Sequence, residues 1–278
     1  MSRKNAKQDL FNSAMSLGDH LEELRARLIM AFIGLGIAMV ICLIFGKYLI
    51  AFLERPYVNI ARSQQQNITP ADPNSTAGNS LNNIEPPNRL QSLAPADGFI
   101  SYMKICTIAG LLLSSPWVFY HLWMFVSAGL YPNERRYAKA AVPFSAILFV
   151  AGAMFFLFII APLTMNFLIL FNKNFLGVDS RFTFKFYISF ITSLMLVFGV
   201  GFQTPILVFF LNKMGLVSIE TLRKSRKYVI LAIFVLAAMA TPPDPASQLT
   251  LAIPLYFLYE LGIILCYFSG KKAKESDK

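Results

Sequence analysis

Acidic side chains are scarce in this sequence: 15 Asp and Glu stand against 25 Lys and Arg among 278 residues, with two His and three Cys. Each shortage excludes something. Cys42, Cys106 and Cys266 each fall inside an apolar run, so they read as free thiols packed as small hydrophobes, not as a disulfide or zinc framework. His20 and His121 are far apart and offer no close metal-ligand spacing, and no cofactor is expected. There is no Gly-rich phosphate loop, no His-Glu-x-x-His and no Gly-x-Ser-x-Gly. No Ser is paired in sequence with an evident Lys or His base, so nucleotide hydrolysis and intramembrane hydrolase chemistry lack their parts. No internal repeat is visible, which counts against many secondary transporters. The net charge of +10 is not gathered into one patch with interleaved aromatics, so nucleic acid is not an expected partner.

What is abundant is apolar sequence, 56% of the chain. Apolar runs lie near Leu28 to Leu53, Phe99 to Val126, Ala138 to Pro162, Phe184 to Leu211, Tyr228 to Thr241 and Leu249 to Phe268. Most exceed the roughly 18 residues of a spanning candidate, and unpaired backbone is costly in lipid, so the expected fold is an all-α integral membrane bundle of six helices. The first run is too long and too far from the start for a cleaved signal, so that helix is expected to be retained. Residues 1–270 read as one membrane domain and residues 271–278 as a basic cytoplasmic tail. Most Lys and Arg fall on one set of short connections, which predicts N-in, C-in topology.

The polar segment Ala61 to Pro95 reads as a long outer loop without a domain of its own. Pro116, Pro143, Pro162 and Pro205 are expected to bend or end their helices and curve the bundle. Ser16 and Asp19 are candidate caps for a helix that enters the first span. The stretch AMATPPDPASQLTLAIP, Ala238 to Pro254, puts three prolines and Asp244 between two runs. The run before it, about 14 residues or about 21 Å of helix, is shorter than a hydrocarbon core of about 30 Å.

With so few acids, their positions are informative. Glu22 and Glu23 lie at the foot of the first helix, and Glu134 lies in the loop YPNERR after the second. Two such carboxylates could receive a pair of guanidinium groups. They could equally pair locally, Glu22 with Arg25, Glu23 with Arg27 and Glu134 with Arg135 or Arg136, and spacing does not separate the two readings. Gln203 and Glu260 sit inside the fourth and sixth runs, where a polar group should face the bundle, a cavity or a partner. An ion path through Glu260, Gln203 and Asp244 would make the chain a secondary transporter or channel.

Four motifs in order, HLEELRAR (His20 to Arg27), WMFVSAGLYPNERR (Trp123 to Arg136), GFQTP (Gly201 to Pro205) and TPPDPASQLTLAIPLYFLYELG (Thr241 to Gly262), resemble the TatC family, the multi-spanning receptors of the twin-arginine protein translocase. The resemblance runs from about Leu17 to Ser269. It implies a non-enzymatic receptor and core subunit in the bacterial inner membrane: six helices, the fifth and sixth short, forming a curved bundle. Its cytoplasmic face would bind twin-arginine signal peptides of folded proteins through Glu23 and Glu134, with Arg25, Phe125 and Arg135 in the same region. It implies TatA- and TatB-type single-span partners meeting the helix at Gln203, a homo-oligomeric receptor surrounded by lipid, and export driven by the proton-motive force. Asp244 and Pro56 match outer positions tied to mechanism. The chain departs from the family pattern at Ala128, where proline is usual, at Gln203, often an acid, and in the enlarged outer loop.

Overall fold

The computed structural model describes residues 17–55, 90, 92–130, 135–177, 183–240 and 245–276. Among them there is no strand. The elements are α1 (Leu17–Ile44), α2 (46–55), α3 (Pro95–Ala128), α4 (Arg135–Phe155), α5 (Ala161–Phe171), α6 (Phe184–Gly201), α7 (Thr204–Lys213), α8 (Ile219–Lys224), α9 (Arg226–Ala240) and α10 (Pro245–Ser276). Among the described residues, five stretches are long and apolar enough to cross a membrane: Leu21–Ile44, Pro95–Ala128, Arg135–Phe175, Phe184–Lys213 and Gln248–Phe268. Helix α9, the fifth in chain order of the six expected membrane helices, has 15 residues, about 22 Å, so this helix is short as expected. The last helix is longer than its sequence suggests. Its apolar stretch has 21 residues, enough to cross, because the helix runs through Pro254 and on to Ser276.

The prolines act where they stand. Pro116, inside α3, has no N–H to give the carbonyl of Leu112, and the Ser115 hydroxyl donates to that carbonyl instead, at 2.8 Å. Ahead of Pro162 the turn Phe156–Ile160 widens to π geometry, with the Ala161 N–H reaching back to Phe156. Phe202 and Gln203 break the fourth span into α6 and α7, and Pro205 sits in the first turn of α7. Thr183 caps α6 by accepting from the Phe186 N–H at 3.3 Å, and Ser218 caps α8 by accepting from Thr221 at 3.1 Å. Ser16 lies outside the described residues, as does the side chain of Asp19.

Helix α6 carries the centre of the core. Tyr187, Ile188, Ile191, Leu194 and Phe198 are fully buried against Phe156, Leu157, Ile105 and Leu251. The Tyr187 hydroxyl donates to the Leu53 carbonyl at 2.8 Å and so ties the end of α2 to α6. Large exposed apolar side chains such as Phe32, Ile37, Phe144, Phe158 and Phe257 face outward. In lipid that exposure costs little, and helix association rests on close packing and interhelical hydrogen bonds.

The α1–α3 contact shows such packing. A Cβ added to Gly110 would lie 3.0 Å from the Met39 Cα, and one on Gly34 would overlap the Trp117 ring. Across the same face Trp117 Nε1 donates to the Met30 carbonyl at 2.9 Å, Cys106 Sγ reaches the Cys42 carbonyl at 3.5 Å, and the Tyr102 hydroxyl bonds the Leu43 carbonyl. Descending partners on α3 meet ascending partners on α1, so the two helices run antiparallel with a fixed register.

Candidate functional site

Basic side chains collect at one end of the bundle: Arg25 and Arg27 at the start of α1, Arg135, Arg136 and Lys139 at the start of α4, and Arg223, Lys224 and Arg226 around α8 and α9. Glu23 is placed there by α1. Carrying the Met30–Trp117 register towards this end puts Arg27 opposite His121 and Glu23 level with Phe125, one turn further along both helices. By this register Glu23 and Arg27 on α1 and His121 and Phe125 on α3 occupy the same two turns, where α1 begins and α3 ends.

Glu23 is half-buried. Its Oε1 accepts from Arg27, at 3.1 Å from Nη2 and 3.4 Å from Nε, so the local pairing considered from sequence is formed. It uses only one carboxylate oxygen. Oε2 is buried and has no hydrogen-bond partner among the described residues. Arg25 and Glu22 are exposed, and among the described residues no ion pair joins them. Phe125 is half-buried. Helix α3 ends at Ala128 without the usual proline, its end closed by Gly129 N–H to Val126 at 3.2 Å and Leu130 N–H to Ser127 at 3.3 Å. Arg135 Nε donates to the Leu130 carbonyl at 3.4 Å. Glu134, Asp244 and Pro56 lie outside the described residues, so the two acids expected to act together are not both placed.

Gln203 is half-buried at the α6–α7 break, and its side-chain amide donates to the Ser145 carbonyl of α4 at 2.9 Å. Glu260 accepts from Arg226 Nη2 at 2.8 Å and from the Tyr256 hydroxyl at 2.7 Å. A carboxylate neutralised this way is not a free station on an ion path.

Sequence reasoning missed two features. His121, read in the sequence only as too far from His20 to share a metal, is buried on α3 at the level of Arg27 of α1. Lys104 of α3 donates to Ser189 at 2.8 Å and Ser193 at 3.1 Å on α6. The signal for the second was Ser189 and Ser193 four apart on one face, but their lysine is 85 residues away and only the fold supplies it.

The family model for the Sec-independent protein translocase protein (TatC) matches residues 19–254. A TatC of Desulforapulum autotrophicum is 35% identical over 260 residues, covering 94% of this chain and 87% of that protein. A TatC of Aquifex aeolicus is 33% identical over 264 residues, covering 95% of this chain and all of that protein. A crystal structure of a twin-arginine translocase receptor, TatC, superposes with a TM-score of 0.74 at 32% identity, covering 90% of this chain and 99% of that one.

Proposed function

The chain belongs to the TatC family of Sec-independent protein translocase proteins, and from that membership we propose that it is the translocase receptor that binds twin-arginine signal peptides at its cytoplasmic face. As a TatC it is a non-enzymatic, multi-pass component of a bacterial inner membrane. The observation that carries the finer reading is Glu23: a half-buried carboxylate at the basic end, level with Phe125, with one oxygen bonded and the other without a partner among the described residues. A ligand guanidinium can complete that carboxylate in a charge-assisted bond. Glu134, next to Arg135 in the sequence, supplies the second acid, and Arg25 stands exposed at the entrance.

In this reading the basic end is cytoplasmic, in keeping with the positive-inside rule, and both termini lie there. TatA- and TatB-type single-span proteins join the receptor in the membrane near the Gln203 break, receptors assemble as homo-oligomers, and the proton-motive force drives passage. Asp244 and Pro56 act on the outer side. The shortness of α9 supports a locally thinned bilayer beside the receptor, since a short helix is matched by thinning, tilt or sunken ends.

The test is binding of a twin-arginine signal peptide to the detergent-solubilised chain, with a twin-lysine peptide as control. Glu23→Ala and Glu134→Ala should each weaken binding several-fold, the double change should be non-additive, and arginine selectivity should fall. Undiminished, arginine-selective binding by the double variant would remove both acids from the site.

A further inference from the structure

At the α1–α3 corner the buried polar atoms with no hydrogen-bond partner among the described residues are Glu23 Oε2 and both ring nitrogens of His121. His121 is 7% exposed. Its ring is held edge-on between Trp117, 4.7 Å between centroids, and Tyr120, 5.3 Å. Those contacts fix the plane of the imidazole and satisfy neither nitrogen. Buried polar groups in folded proteins are nearly always hydrogen-bonded, and a cluster of exceptions calls for a partner, solvent or ligand, that supplies the bonds.

The chemistry of the free atoms narrows that ligand. Glu23 Oε2 is an acceptor, and a neutral imidazole presents one acceptor and one donor. Two acceptors on facing helices, one turn apart in register, suit a planar group that spreads several N–H donors. A guanidinium does this, whereas an ammonium concentrates its donors at one point. Arg27 already holds the other oxygen of Glu23, and a carboxylate has lone pairs for a second guanidinium.

We propose that His121 is a specificity-determining residue of the peptide site: it accepts a hydrogen bond from the same peptide guanidinium that meets Glu23 Oε2, and selects arginine over lysine. This rests on the peptide-receptor reading above. The remaining imidazole N–H is free to donate to a peptide carbonyl.

The experiment uses the full chain in detergent, with twin-arginine, twin-lysine and citrulline-substituted peptides, and the variants His121→Phe and His121→Gln. His121→Phe fills the space without an acceptor, and it should lower twin-arginine affinity about tenfold, the worth of one charge-assisted hydrogen bond. Twin-lysine binding should stay unchanged. His121→Gln, which keeps an acceptor and a donor, should recover most of the loss, and His121→Phe with Glu23→Gln should be less than additive. Equal losses for both peptides, or unchanged arginine selectivity in His121→Phe, would overturn the proposal. Should His121→Phe fail to fold, the citrulline peptide on the wild-type chain and on His121→Gln decides: citrulline binding as tightly as arginine excludes a guanidinium here. Failure of the wild-type chain to distinguish arginine from lysine would instead sink the receptor reading itself.

Discussion

Gln203 and Ser145 join two helices through one residue's backbone: the Gln203 amide donates to the Ser145 carbonyl at 2.9 Å while the Ser145 hydroxyl, fully buried, accepts from Trp123 Nε1 at 2.8 Å. Helices α3, α4 and the α6–α7 break thus meet at Ser145. The amide stands where the fourth span is interrupted before Pro205, and it fixes the break against α4. Gln203→Leu should cost about 0.5–1.5 kcal/mol, the range for interhelical hydrogen bonds in membranes. Gln203→Glu should cost at least as much at neutral pH, since an ionised carboxylate has no proton to donate. Thermal unfolding in detergent measures both, and a Leu variant as stable as wild type would mean that the bond contributes nothing.

Gly110 and Gly36 make a matched pair of opposite sign. A Cβ on Gly110 meets the Met39 backbone at 3.0 Å, whereas a Cβ on Gly36 meets nothing within 4 Å. Gly110→Ala should therefore force α1 and α3 apart and destabilise by about 1–3 kcal/mol. Gly36→Ala should be neutral or stabilise by up to about 1 kcal/mol through helix propensity. Because Glu23 and His121 depend on the same helix pair, Gly110→Ala should also weaken twin-arginine peptide binding and Gly36→Ala should not.

Lys104 lies inside the candidate span Pro95–Ala128 with two serine hydroxyls as its hydrogen-bond acceptors. Removing the acceptors and removing the charge should have opposite consequences. Ser189→Ala with Ser193→Ala leaves a desolvated ammonium unsupported and should cost about 1–3 kcal/mol. Lys104→Met removes the charge with the need for support, so it should cost less, and it should rescue the serine double variant. Unfolding temperatures of the four proteins decide the matter, and no rescue would mean that the serines act elsewhere.

Glu54, on α2 just past the first apolar run, has its carboxyl raised above the ordinary glutamate value because burial penalises the charged form. A raised folded-state value means that the contribution is favourable at low pH and is lost as pH rises through the folded value. The chain should thus gain stability from Glu54→Gln at pH 7 and show little difference near pH 4. Measuring unfolding across that interval tests it, and an unchanged pH slope in the variant would exclude Glu54 as its source.

Much of the fold was legible because lipid imposes a strong rule. Long apolar runs with few charges must be helices, and α3, α4 and α6 lie where those runs do. The length of α10 was harder to read: the apolar run ends at Phe268 before the basic tail, yet the helix, with Pro254 inside it, continues to Ser276. In the candidate site, Glu23, Arg25 and Phe125 were proposed from motifs, and the Glu23–Arg27 pair, one of the local pairings that i,i+4 spacing offered, is formed.

The sequence by itself determined the class of protein, its helices, its basic end and its family, because hydrophobic length, charge placement and ordered motifs are local properties that survive without coordinates. Tertiary structure decided which polar groups meet. The small residues Gly34 and Gly110 let α1 and α3 approach backbone to side chain and backbone to backbone, and that close contact sets the register that puts His121 opposite Arg27, one turn from Glu23. Likewise Lys104 finds Ser189 and Ser193, and Gln203 finds Ser145, across 58 to 89 residues of chain. No local pattern encodes those pairings, because each is a consequence of how whole helices pack in a solvent that leaves polar side chains few partners except one another.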